Sequence, residues 1–225
     1  MMHPRRGEAS LLVVMNAVLA MCVVGLTGVV VHSRLRGTAP ATERPWVTPR
    51  VVPGLGASAS NLGHQLGRGS ASRRIIEFAD YQCPFCRDAA SQLSQLQRER
   101  PGVAAITFRN MPLDELHPRA RPAARAAECA YDQGKFEPFH DALFLDQSGV
   151  GSRPWTSFAV SAGIADTTKF KACLASPRVD ARVIADEHAA DRLGIRGTPT
   201  FVVGDSIFEG LPPLSQLRSW FGASQ

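Results

Sequence analysis

The sequence predicts an α/β domain carried behind one N-terminal transmembrane helix. Three observations lead there. A short apolar run, Ile75-Ile76-Glu77-Phe78-Ala79, is followed by a helix-type stretch and by a second strand-type run near Val103 to Phe108, a strand-helix-strand unit whose crossover should be right-handed. Near the C-terminus, Thr200 to Val203, Gly204-Asp205 and Ser206 to Glu209 read as a hairpin. At the other end, Leu11 to Val31 is a run of 21 residues with no charge, long enough to span a bilayer as a helix.

The N-terminal elements come first. A cleaved signal peptide competes with an anchor, since Arg5 and Arg6 supply a basic start, but its apolar region should be shorter. We read residues 1–36 as the anchor, with the helix at about 11–31. Leu19-Ala20-Met21-Cys22 places bulky Met21 where a lipid-attachment site needs a small residue, so Cys22 reads as an apolar residue of the span. Residues 37 to 73 carry Pro40, Pro45, Pro49 and Pro53 among several Gly and Ser without a sustained period. That composition reads as a flexible tether over 37–66, joined to a folded domain over 67–225. Charge divides at about the same place. Residues 1 to 73 hold 8 Arg against 2 Glu, whereas the remainder is near neutral, so the whole-chain net charge of +5 belongs to the anchor and tether. A basic tether next to a bilayer meets anionic headgroups, and no nucleic-acid footprint is visible in the folded part.

Cys83-Pro84-Phe85-Cys86 follows the first strand directly. With Cys83 capping a helix and Pro84 in its first turn, the Cys83 sulfur sits beside unpaired backbone donors at the positive end of the helix dipole, and its thiolate is stabilised. Cys86, three positions on, shares the same helix face and can close a disulfide with it. The helix continues through Phe85, Ala89, Leu93 and Leu96 and stops at Pro101-Gly102. A zinc site would need two further ligands, usually a second close pair, and neither the histidines nor Cys22, Cys129 and Cys173 supply one, so no metal is expected. There is no Gly-x-Ser-x-Gly and no phosphate loop, and His117 and His140 have no evident nucleophile partner beyond the Cys motif.

Helical segments follow. Phe136, Phe139, Leu143 and Phe144 recur at helical spacing, as do Phe170, Cys173 and Leu174, and Pro177 to Leu193 forms a longer helix stopped by Gly194. The phenylalanines are core residues, and His140 reads as a partly exposed helix residue. A closing helix runs from about Pro213 to Phe221.

The string Glu77-Phe78-Ala79-Asp80-Tyr81-Gln82-Cys83-Pro84-Phe85-Cys86, with Gly197-Thr198-Pro199-Thr200-Phe201 later, resembles the DsbA-like branch of the thioredoxin superfamily over about residues 67 to 221. The resemblance implies a thioredoxin-like fold with a helical insertion, here about 115–194, and a protein-disulfide oxidoreductase acting outside the cytoplasm without a cofactor. Cys83 would be the nucleophile and Cys86 the resolving thiol. Glu77 would be the buried acid that exchanges protons with Cys86; a salt-bridged or edge-facing Glu is the alternative. Pro199 would be cis and, with Thr198, Pro84 and Phe85, would meet the substrate; an ordinary trans turn is the alternative. Relatives sometimes carry a structural disulfide where Cys129 and Cys173 stand, the alternative being two buried free thiols.

The implied partners are thiol- or disulfide-containing proteins and a membrane redox partner. The Arg count after the span favours a cytoplasmic domain, but large domains translocate despite such charge, and five cysteines suit an oxidising compartment. The expected placement is therefore a single-pass membrane protein with its domain in the periplasm or cell-wall space. Isomerase relatives are often dimers with an added domain, none is visible here, and a monomer is expected. Oxidative disulfide formation is the expected direction. Phe85 cannot donate the hydrogen bond a histidine there would, and Thr198 also occurs in isomerase relatives, so a reductase or isomerase is the alternative. A non-redox module binding a partner or soft metal through the Cys pair is the alternative from another class.

Overall fold

The computed structural model describes residues 49–55, 63–67, 71 and 73–222, all within the second of the two units into which the chain divides, Trp46–Gln225. The expected anchor over 1–36 and its transmembrane helix at 11–31 lie outside the described residues. Among the described residues no helix is long and apolar enough to cross a membrane.

Among the described residues six strands form one sheet: β1 (Arg50–Val51), β2 (His64–Leu66), β3 (Arg73–Ala79), β4 (Ala104–Asn110), β5 (Thr200–Val203) and β6 (Ser206–Glu209), in the order β1-β6-β5-β3-β4-β2. β3 is central, parallel to β4 and antiparallel to β5. It reads as a nearly continuous apolar run because both of its faces are covered. Ile75, Glu77 and Ala79 share one face and Ile76 and Phe78 the other, as the two-residue period requires. Ile75 and Ala79 join the larger core cluster, with Leu93, Phe139 and Phe170. Ile76 and Phe78 join the smaller one, with Ala190, Ile195 and Val202.

Helix α1 (Pro84–Glu99) connects β3 to β4 and buries Cys86, Ala89, Leu93 and Leu96 against the first cluster. Each buried Leu contributes roughly 1.5 to 3 kcal/mol. Between β4 and β5 run five helices, α2 (Ala120–Tyr131), α3 (Phe136–Leu145), α4 (Trp155–Ser161), α5 (Thr167–Leu174) and α6 (Arg178–Arg192), with a 3-10 turn at Gln147–Gly149; α7 (Leu214–Trp220) closes the chain. These five helices lie within residues 120–192. Helix α6 ends where Gly194 takes φ +65, with its N–H on Asp191 O and the Ile195 N–H on Ala190 O. That double bond is a Schellman ending, which a residue with a side chain would strain.

Two strands fall inside the stretch read as a tether. β1 pairs with β6 and β2 with β4, so residues 50–51 and 64–66 belong to the sheet. Both are too short to set up a hydrophobic period. The one inward polar residue, His64, is buried because Glu128 on α2 lies 2.7 Å from its Nε2 and Phe136 stacks on its ring. His140 is also corrected: it is 2% exposed, not partly exposed. It stands four positions from both Phe136 and Phe144, on the same face of α3, and packs edge-on against Phe108 and Phe144.

Candidate active site

Cys83 occupies the N-cap of α1 with extended backbone (φ −70, ψ 121), and Pro84 begins the helix. The strand-to-helix turn is held by Asp80, itself 1% exposed. Its Oδ1 accepts from the N–H groups of Gln82 (2.7 Å) and Cys83 (3.2 Å). Its Oδ2 accepts from Leu113 N at 2.8 Å and lies 2.8 Å from His117 Nδ1. A second hold comes from the insertion, where Gln147 Nε2 donates to the carbonyls of Cys83 (2.9 Å) and Tyr81 (3.0 Å).

Both sulfurs are free thiols and buried. Their environments differ. The Cys83 thiol is lowered to about 6, chiefly by a hydrogen bond from Cys86; burial opposes this, and the N–H groups of Cys86 and Phe85, donors that a helix N-terminus leaves unpaired, add to it. Burial pushes Cys86 well above the usual thiol range, aided by its hydrogen bond to Cys83 and the Cys83 charge, while the Asp80 N–H at 3.5 Å partly opposes it. At neutral pH the pair therefore presents one thiolate and one thiol.

Thr198 and Pro199 come from the β5 side. The Thr198-Pro199 bond is cis, and the Thr198 carbonyl accepts from the Cys83 thiol at 3.4 Å. The Thr198 hydroxyl is buried without a hydrogen-bond partner. Pro84 and Phe85 are exposed at the start of α1, Phe85 by 42%.

Glu77 lies on the α1 side of β3 and is 1% exposed, with neither carboxylate oxygen hydrogen-bonded. Burial, with the Cys83 charge second, raises it to about 8. Its field also contributes to the upward shift of Cys86. Cys83, Cys86, Thr198 and Pro199 thus meet at the start of α1, while Glu77, on β3, borders a cavity lined by Ala90, Leu93 and Ser94 further along the helix and interacts with both sulfurs through its charge. Cys129 and Cys173 do not join them; they link α2 to α5 as a disulfide, with Cα atoms 5.7 Å apart. Among the described residues no group of three or more His, Cys, Asp or Glu side chains is arranged to hold a metal ion.

Sequence reasoning passed over three residues here. Asp80 carried a signal, because an Asp three positions before the cap offers its oxygens to the following N–H groups. His117 and Gln147 carried none, being brought to the turn only by the path of the insertion.

Residues 60–222 match the family model described as Thioredoxin. Among curated proteins, the Na(+)/H(+) antiporter NhaA 3 of Salinispora tropica is 34% identical over 140 residues, 62% of this chain and 21% of that protein. The chain thus spans about a fifth of the length of the curated relatives it matches. Among solved structures, a thioredoxin-like oxidoreductase from Silicibacter pomeroyi is 32% identical with a TM-score of 0.60, over 71% of this chain and 90% of that one. Pseudomonas aeruginosa DsbA2 is 28% identical with a TM-score of 0.57, over 69% and 90%.

Proposed function

We propose that this chain, which belongs to the DsbA-like branch of the thioredoxin superfamily, exchanges disulfides with protein substrates outside the cytoplasm through Cys83 and Cys86, in the direction of oxidative disulfide formation. The inequality of the two sulfurs carries this reading. A substrate thiolate attacks Cys83 of the oxidised pair, the Cys83–Cys86 bond breaks, and Cys86 leaves and takes a proton from Glu77. A second substrate thiolate then attacks the substrate sulfur of the mixed disulfide and releases Cys83. The Cys83 thiolate, at about 6, is a good leaving group. Its stabilisation favours the reduced form of the pair, which makes the oxidised form an oxidant.

Thr198 and Pro199, held against Cys83, would align an extended substrate, and Phe85 would offer it an apolar contact. The uncharged run at 11–31 supports a single membrane anchor, and the Cys129–Cys173 bridge supports an oxidising compartment. A membrane protein that reoxidises the pair and a monomeric state complete the proposal.

The test is stoichiometric oxidation. The oxidised full chain in detergent micelles is mixed with a reduced two-cysteine peptide, and the products are read by alkylation and mass. One peptide disulfide per Cys83–Cys86 bridge supports the reading. No transfer, with the same result for Cys83→Ser, overturns it in favour of a module that only binds.

A further inference from the structure

We infer that Asp141, on the insertion, is the solvent end of a proton path that serves Glu77 through a cavity the size of one water molecule. The inference rests on the disulfide-exchange reading above. Glu77 is sealed behind the sheet and α1, and neither of its oxygens has a hydrogen-bond partner. An acid so placed can give its proton to Cys86 once, and must be refilled before the next turnover.

A cavity of about 30 Å³ adjoins it, bordered by Glu77 from β3, Ser94 and Gln97 from α1, and Glu137, His140 and Asp141 from α3. That is room for about one water, with enough polar partners to hold it. On the far side, an open groove of about 430 Å³ runs between α1 and α3. Asp141 is the one titratable side chain that borders both spaces.

The neighbouring groups fit this assignment. Ser94, which also borders both spaces, accepts from Arg98 Nη1 at 2.6 Å, and Glu137 Oε1 is engaged by the Gly67 N–H at 2.8 Å. Burial, with the His64 charge second, holds His140 down at about 3, so it stays neutral in the working range. Asp141 is pushed up to about 6 by burial and by Glu137, with Arg98 opposing. It therefore takes protons from neutral water and passes them towards the more basic Glu77.

When a substrate thiolate attacks Cys83, the electron pair of the broken S–S bond stays on Cys86. Glu77 gives Cys86 a proton, the cavity water replaces it, Asp141 replenishes the water, and bulk solvent replenishes Asp141. One solvent proton is consumed and no further oxidant or reductant is needed. In the reverse direction of exchange the proton runs outward.

Single-turnover reduction of the oxidised full chain by a dithiol peptide at pH 9, where Glu77 has mostly lost its proton and must be refilled before it can protonate Cys86, stopped with acid and read by alkylation, tests the path. We expect Asp141→Asn to slow the reaction roughly tenfold, below the about 10²–10⁴ of a directly positioned acid or base, and to leave the reduction potential in place. Formate should restore the rate of Asp141→Ala, because a small acid can enter the groove from solvent. In the Glu77→Gln background Asp141→Asn should add nothing. An unslowed Asp141→Asn, an equal slowing in the Glu77→Gln background, or no rescue by formate would each overturn the path while leaving disulfide exchange intact. No exchange by the wild type would instead overturn the exchange reading, and the path with it.

Discussion

The Thr198 carbonyl accepts a hydrogen bond from the Cys83 thiol at 3.4 Å across 115 positions of sequence. The contact joins the start of α1 to the entrance of β5. Central β3 makes it possible, since it pairs with β5 and leads directly into the Cys83 turn.

Cys86→Ser should leave Cys83 able to attack but unable to be released by its own partner. Incubated with a disulfide-bonded protein, this variant should accumulate a mixed disulfide visible as a dithiothreitol-sensitive band on a non-reducing gel. Cys83→Ser should form none.

The Cys83 thiol of the reduced protein should titrate near 6, seen as thiolate absorbance at 240 nm or as the midpoint of alkylation rate against pH. Its folded value lies below the ordinary 9.0, so the stability it contributes is complete above about 9 and is lost as pH falls towards 6. The stability of the reduced form relative to the oxidised form should therefore rise across that window. A flat difference between pH 6 and 9 contradicts the assignment.

Glu77 produces the opposite slope. From about 4.5 to 8 the folded chain keeps a proton that the unfolded chain has released, so its contribution to stability falls as pH rises and levels above 8. Urea denaturation of wild type and Glu77→Gln should diverge by roughly 3 to 4 kcal/mol between pH 5 and pH 8, the variant gaining. Taking the difference removes His140, whose burial in neutral form acts below about 6.5 in both proteins.

How much of this was legible in the sequence follows from the range of each interaction. The hairpin at 200–209, α1 and α6 are set by local period and by stop signals such as Gly194, and they stand where the residues placed them. The cis bond before Pro199 was open to reading only through the resemblance, because composition around an X-Pro bond does not distinguish the isomers. β1 and β2 were not legible, since two- and three-residue strands at the sheet edges draw their order from β6, β4 and the His64–Glu128 pair. Gln147 was illegible for the same reason, as its role exists only once the insertion has folded back over the Cys83 turn.

Gln147→Ala should loosen that turn. Losing two bonds to main-chain carbonyls should cost about 1 to 2 kcal/mol of stability and raise the Cys83 thiol towards its ordinary value. Calorimetry and the 240 nm titration read the two effects separately. An unchanged titration would mean that the insertion does not position the sulfur.

Replacing both Cys129 and Cys173 by Ala should lower stability by roughly 3 to 4 kcal/mol, because the bridge closes a loop with a sequence separation of 44 residues. Exchange at Cys83 should survive in the variant below its lowered Tm. A variant as stable as wild type would contradict a structural role for the bridge.

The central claim, that Cys83 and Cys86 form a reversible couple poised to oxidise, is tested most directly by the reduction potential of the full chain equilibrated in glutathione buffers, with the pair read by alkylation. A potential above about −150 mV is the predicted result, because a stabilised Cys83 thiolate favours the reduced form. A value near −270 mV would contradict the oxidative direction and make the protein a reductase, and the absence of any Cys83–Cys86 couple would contradict the account as a whole.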